Sequence, residues 1–519
     1  MNKIKNPILP GFHPDPSIIR VNDDCYIATS TFEWFPGVEI HHSRDLINWR
    51  LVSRPLDRVA QLDMKGIQNS GGVWAPCLSY SDGLYYLVYS NVISFGSGYF
   101  DSNVFLVTSK DIGGPWSDPV LLMGGNADVS LFHDDDGKKW MVYPTPEGIT
   151  LREYSVQLKG MTGPEAIIFK GTELGVTEGP HLYRVHGYYY LITAEGGTEL
   201  GHSVTVARSR ELNGPFEVDP ENPMLTSRNN PLLEIQKAGH ADIVQTQYGD
   251  WYMVHLCGRP IPSRGACILG RETCIQKVIW TDDHWLRLEE GGNEPASEVA
   301  APGLAECKWE KAPVRDDFDS EILDIQFQTL RIPLEEDNLS LKERPGYLRL
   351  KGRESLVSLF RQALVARRQQ AFRYTATTCV EFQPEYKKQM AGLVCYYNTN
   401  NFYYLKISYK EGIGKYLGIL SRDNKVINEH TEAEISIEGW QKCYLRARMD
   451  YDKLRFYYSD DESNWKQIGQ TLDAAILSDE YHYYENLNFT GAFVGLCCQD
   501  FTGARKHADF DFFEYAEED

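Results

Sequence analysis

The sequence is short of positive charge. Its 519 residues carry 52 Lys and Arg against 73 Asp and Glu, a net charge of -21. That balance excludes a nucleic-acid binder, which needs clustered basic residues, and an attachment to an anionic membrane surface. A neutral substrate such as a sugar fits it. No run of about 18 apolar residues occurs, so no membrane-spanning helix is expected. The start, Met1 to Pro7, lacks an apolar core and a small-residue cleavage site, and the expected location is the cytoplasm. The 11 cysteines form no Cys-x-x-Cys pair and are odd in number, so reduced, buried thiols are expected. Helix-period stretches are few, which points to an all-β chain.

What is present is a repeat. Five segments share one layout: Asp15-Pro16-Ser17-Ile18, Ala75-Pro76-Cys77-Leu78, Asp128-Val129-Ser130-Leu131, Glu178-Gly179-Pro180-His181 and His240-Ala241-Asp242-Ile243. Each is followed by a turn, two of them Asp-Gly (Asp82-Gly83 and Asp136-Gly137), and then an aromatic strand. Aligned on their first residues, the segments are 60, 53, 50 and 62 residues apart. Repeats of that size built from short strands predict a five-bladed β-propeller, with the first strand of each blade lining the axis. Asp15, Asp128, Glu178 and His240 then converge. Further echoes, Ser43–Trp49, Ser109–Trp116 and Ser209–Phe216, read as the outer hairpins of blades. The expected domains are 1–300, a propeller; 301–313, a linker rich in Gly, Pro, Glu and Ala with the residues just before it; and 314–519, a β-sandwich of alternating strands such as Cys443–Met449.

Two carboxyl groups in different protonation states are what glycosidic hydrolysis requires, one as acid and one as base or nucleophile. Asp15, pinned between two prolines, and Glu178, across the axis in blade 4, are the candidates; each alone reads equally as a turn or cap residue. Asp128 supplies a third carboxylate, whose negative charge would raise the Glu178 pKa, or caps a turn. Asp134-Asp135-Asp136 reads as a solvated hairpin tip. His240 is a core histidine, a pocket-floor hydrogen-bonder, or a holder of a hydrated cation. Arg271 binds hydroxyls or pairs with a carboxylate, and Phe32 and Trp74 offer sugar-stacking rings or blade packing.

These motifs resemble a known family. Phe12-His13-Pro14-Asp15-Pro16-Ser17, Thr29–Gly37, Gly72-Val73-Trp74-Ala75-Pro76, Thr177–Tyr183, Leu269–Thr273 and Cys498–Gly503 are similar to the β-xylosidases of glycoside hydrolase family 43, over about residues 6 to 515. The resemblance implies a five-bladed propeller followed by a jelly-roll or concanavalin-like sandwich. It also implies an inverting, exo-acting enzyme that removes xylose from xylooligosaccharides. Asp15 would be the general base, Glu178 the general acid, and Asp128 the residue that tunes and orients the acid. Phe32, Trp74, Thr198, His240 and Arg271 would line the terminal-sugar subsite, and Phe501 of the sandwich would wall the pocket mouth. A homo-oligomer, tetramer or dimer, and a calcium-like divalent cation near His240 are further implications; no cofactor is required. Two departures stand out: Gly179, where Ala is frequent, and the loop Ile261–Ala266, which is expected to affect subsite shape. Inversion needs room for a water, so the two carboxyl groups should stand roughly 6.5–9.5 Å apart. The rival readings are an α-L-arabinofuranosidase, a non-catalytic carbohydrate-binding propeller, and a structural or interaction propeller.

Overall fold

Five similar sheets follow one another along the chain of this computed structural model, which describes residues 2–96, 98–333, 335 and 337–518. Each is built from consecutive antiparallel strands. The innermost strands are Ser17–Val21, Gly72–Ser81, Ser130–His133, Thr177–Val185 and Gln236–Gln245. They touch in ring order, and the last touches the first. This is a five-bladed propeller.

The repeat is visible in the packing. Ile18, Leu78, Leu131, Leu182 and Ile243 occupy one equivalent position, and all are buried. Each belongs to a different apolar cluster, one between every pair of neighbouring blades. Full burial of such a side chain contributes about 1.5–3 kcal/mol. Polar contacts close the ring at the axis. Asp242 Oδ2 accepts hydrogen bonds from Ser17 Oγ (3.0 Å) and the Ile18 amide (2.8 Å), Asp242 Oδ1 accepts from the Tyr183 hydroxyl, and Ser17 Oγ accepts from the Leu78 amide (3.1 Å).

The sandwich strands run from Arg315–Asp316 to His507–Glu517 and form two antiparallel sheets around one apolar core. Between the two halves, Cys307 and Trp309 lie along blade 1: the Cys307 amide donates to Asp45 (2.8 Å) and Trp309 Nε1 to the Asn48 carbonyl (3.0 Å). The halves are fused rather than tethered. Thr329–Leu330 pairs with Trp34–Phe35 of the propeller, and Trp34 stacks on Phe493 with ring centroids 3.6 Å apart. All 11 cysteines are free thiols. Among the described residues no helix is long and apolar enough to cross a membrane.

Candidate active site

At the axial end of each inner strand the backbone repeats an unusual conformation. Asp15, Ala75, Asp128, Gly179 and His240 have φ of 55°, 36°, 53°, 55° and 48°. Four of the five are not glycine, and each such residue costs about 1–2 kcal/mol. In blades 2, 4 and 5 the position is a β-bulge in the ladder, a device that re-aims side chains next to sites. This register corrects the sequence alignment in blade 4: the equivalent of Asp15 is Gly179, and Glu178 stands one residue earlier. Trp74 stands one residue earlier in blade 2 in the same way. Blades 1, 3 and 5 thus present the residue of positive φ itself, and blades 2 and 4 the residue before it. Gly179 has a reason beyond φ: a Cβ there would lie 2.9 Å from His240 Nε2.

The five ends surround a cavity of ≈ 440 Å³. Asp15, Phe32, Trp74, Asp128, Glu178, Thr198, His240 and Arg271 all line it, so eight of the nine expected site residues meet there. The ninth, Phe501, does not. It is 44% exposed and borders a separate concavity on the sandwich with Asp337, Arg353, Arg361 and Arg505. The sandwich instead delivers Phe489, from the irregular stretch Asn488-Phe489-Thr490. Phe489 carries no periodic signal; its only hint is a lone aromatic in a run of turn-forming residues. His202 and Phe100 also line the cavity and were not anticipated. The Ile261–Ala266 loop is not among the lining residues. It closes on itself (Ile261 amide to Ala266 carbonyl, 2.9 Å) and packs toward Ala475 of the sandwich, so it does not shape the subsite.

Asp15 is the best-anchored carboxylate. Its Oδ2 accepts from Ser30 Oγ at 2.7 Å, and its Oδ1 accepts from Arg271 Nη1 at 3.1 Å, with His240 Nδ1 at 3.7 Å. Ser30 Oγ in turn accepts from the Ala75 amide (2.8 Å). Arg271 also donates to Thr198 Oγ1 (3.2 Å) and to the Phe489 carbonyl (2.9 Å), tying Asp15, the pocket wall and the sandwich together. Trp74 is oriented by its Nε1 donating to the Ser70 carbonyl (2.9 Å).

Glu178 and Asp128 sit in a different environment. Burial, and then the Asp15 charge, push the Glu178 carboxyl up to about 7, against Arg271. Asp128 is raised well above the usual carboxylate range by burial first, then by Glu178 and Asp15, with a Gly179 backbone hydrogen bond opposing. Burial is the first cause of both shifts, and the closeness of Asp128 and Glu178 disfavours placing a charge on both at once. His240 and His202 are pushed down to about 4 and about 3 by burial and are neutral imidazoles at physiological pH.

One anchored carboxylate beside an arginine and one protonated carboxyl across the same cavity form an acid–base pair suited to glycosidic cleavage. The model for glycosyl hydrolases family 43 matches residues 4–286, and that for the β-xylosidase C-terminal concanavalin A-like domain matches residues 315–516. The chain belongs to glycosyl hydrolase family 43. Among family members, a β-xylosidase of Bacillus subtilis (strain 168) is 48% identical over 99% of this chain and 100% of its own length. A xylan 1,3-β-xylosidase of Vibrio sp is 46% identical over 99% of each chain. The crystal structure of xylan β-1,4-xylosidase from Bacillus halodurans C-125 superposes with a TM-score of 0.97 at 51% identity, covering 99% of this chain and 100% of that one. This family-43 chain is thus a glycoside hydrolase with a propeller and a concanavalin-like sandwich.

Proposed function

We propose that the chain is an exo-acting, inverting β-1,4-xylosidase that releases D-xylose from the non-reducing end of xylooligosaccharides. The observation that carries this reading is a single pocket, bounded by Phe489 of the sandwich, in which Asp15 is hydrogen-bonded by Ser30 and Arg271 while burial raises the Glu178 carboxyl to about 7. Glu178 donates its proton to the glycosidic oxygen. Asp15, steadied by Ser30 and Arg271, takes a proton from the attacking water on the opposite face of the ring. Asp128, beside the Gly179 amide, orients the segment that bears the acid. Phe32, Trp74 and Phe489 supply ring surfaces for the sugar, and Thr198, His240 and Arg271 its polar contacts.

A divalent cation such as calcium, held through water at His240, fits the floor of this pocket. A small axial cavity beneath it is lined by Asp15, Asp128, Ser130, His181 and His240, and Ser130 Oγ is buried without a hydrogen-bond partner. The ion would supply fixed positive charge beneath the carboxylates. Dialysis against EDTA is then expected to lower kcat and calcium to restore it; an unchanged rate removes the ion from the mechanism.

The deciding experiment is proton NMR of xylobiose hydrolysis, with 1,3- and 1,4-linked disaccharides side by side. Initial α-xylose from the 1,4-linked substrate is expected. Initial β-xylose would mean retention and would overturn the water-mediated scheme. Turnover of the 1,3-linked substrate alone would change the linkage, and turnover of neither would redirect the assignment to arabinofuranosides. The free thiols support a reducing compartment, the cytoplasm. A homo-oligomer is supported by the exposed edge strand Val426–Glu429, which carries Val426 and Ile427.

A further inference from the structure

Outside the pocket, a group of buried ionisable side chains converges on one carboxylate, Glu39. His13, Glu39 and His41 bring their possible ligand atoms within 4.8 Å of one another. They do not form a cation site. Glu39 Oε1 already accepts a hydrogen bond from Arg368 Nη1 and is ion-paired with Arg54 Nη2, each at 2.6 Å. Two guanidinium ions around one carboxylate leave a surplus positive charge that repels a metal ion.

The same group reaches the segment that carries Asp15. Glu39 Oε2 lies 3.1 Å from His13 Nε2. Arg368, on the sandwich strand Leu364–Arg368, donates from Nε to the Phe12 carbonyl at 2.6 Å, and its Nη1 also donates to Gln328 Oε1. The next two carbonyls are fixed from the propeller: His13 O accepts from Thr273 Oγ1 (2.6 Å), and Pro14 O from the Ser30 amide (3.1 Å). Asp15 follows directly, with φ 55°. Such a conformation persists only where its surroundings over-determine it. Of the three successive carbonyl anchors, the first comes from the other domain.

We propose that Arg368 is a positioning residue for hydrolysis. Through Phe12 directly, and through Glu39 to His13, it holds Asp15 in its left-handed conformation, so that docking of the sandwich is a condition of catalysis. This rests on Asp15 being the base. Lysine cannot replace the planar fork, because one ammonium does not reach Phe12 O, Glu39 and Gln328 together.

The test is steady-state kinetics of Arg368→Lys and Arg368→Met on an aryl xyloside and on xylobiose, with circular dichroism and thermal unfolding of each variant and Asp15→Ala as a control. A 1 Å misplacement of a reacting group is worth about 100-fold, so kcat is expected to fall by about that factor with KM changed less than about twofold. If Arg368→Met does not fold, the lysine variant decides. A folded Arg368→Lys with kcat within about threefold of the parent overturns the proposal. An active Asp15→Ala would sink the base assignment itself, which is a separate failure.

Discussion

Glu178 suits the acid role proposed for it because its surroundings disfavour its charge. With its carboxyl pushed up to about 7 by burial, it is protonated below that pH and loses its proton above it. kcat/KM is therefore expected to decline above about pH 7, which a pH–rate profile checks. The sign for stability is the same. A carboxyl raised above its unfolded value favours the folded state at low pH, and this advantage is lost as pH rises from the unfolded value near 4.5 through about 7. Glu178→Gln removes the buried charge. It is expected to raise Tm by a few degrees at pH 8 and hardly at pH 5, while abolishing hydrolysis of xylobiose. Asp15→Ala and Glu178→Ala are expected to fold and to keep under about a tenth of the parental rate, with Glu178→Ala losing less on substrates whose leaving group needs no protonation. Equal losses on activated and natural substrates would count against the acid role. Gly179→Ala combines a φ penalty of about 1 kcal/mol with a Cβ 2.9 Å from the His240 ring. Lower Tm and lower kcat together are expected, read by thermal unfolding and steady-state assay.

The element that decides the pocket is the axial end of each inner strand, where a residue of positive φ turns the chain. In blades 2 and 4 the residue just before the bulge faces the cavity, which is how blade 4 offers Glu178 and blade 2 offers Trp74. The irregular stretch around Phe489 is the matching element of the sandwich. Its amide is held by Ser70 Oγ (3.0 Å) and its carbonyl by Arg271 (2.9 Å), so it is fixed to the propeller at two points. Phe489→Ala is expected to lower kcat/KM for xylobiose by about tenfold, the scale of one lost aromatic contact. Phe501→Ala is expected to change nothing, since its ring lies beside another concavity. An effect of Phe501 larger than that of Phe489 would reverse the assignment.

At the scale of the whole molecule, the two domains share a core. Phe12, Phe32 and Trp34 of the propeller pack with Leu330, Leu364, Tyr396 and Phe493 of the sandwich in one apolar cluster. Arg331 crosses the same boundary, donating from Nε to the Ile67 carbonyl (2.7 Å). A chain cut after residue 300 exposes that surface, and a large exposed apolar patch leads to aggregation. Loss of soluble protein, or soluble protein without turnover, is the expected result on size-exclusion chromatography and assay. A soluble, fully active propeller would show that the sandwich is dispensable.

Local signals in the sequence determined the strands, the five-fold repeat, the sandwich and most of the pocket. Glycine-containing turns before aromatic strands, prolines beside Asp15 and the recurring first-strand segments are short-range patterns, and short-range patterns survive in one dimension. Tertiary structure decided the rest. The one-residue offset between Glu178 and Gly179 is set by a bulge, which depends on a partner strand. Phe489 rather than Phe501 reaches the pocket because a loop's destination is fixed by what it docks against. The upward shift of the Glu178 and Asp128 carboxyls comes first from how little solvent the closed ring of blades leaves around them, and solvent exclusion is a property of the assembled fold.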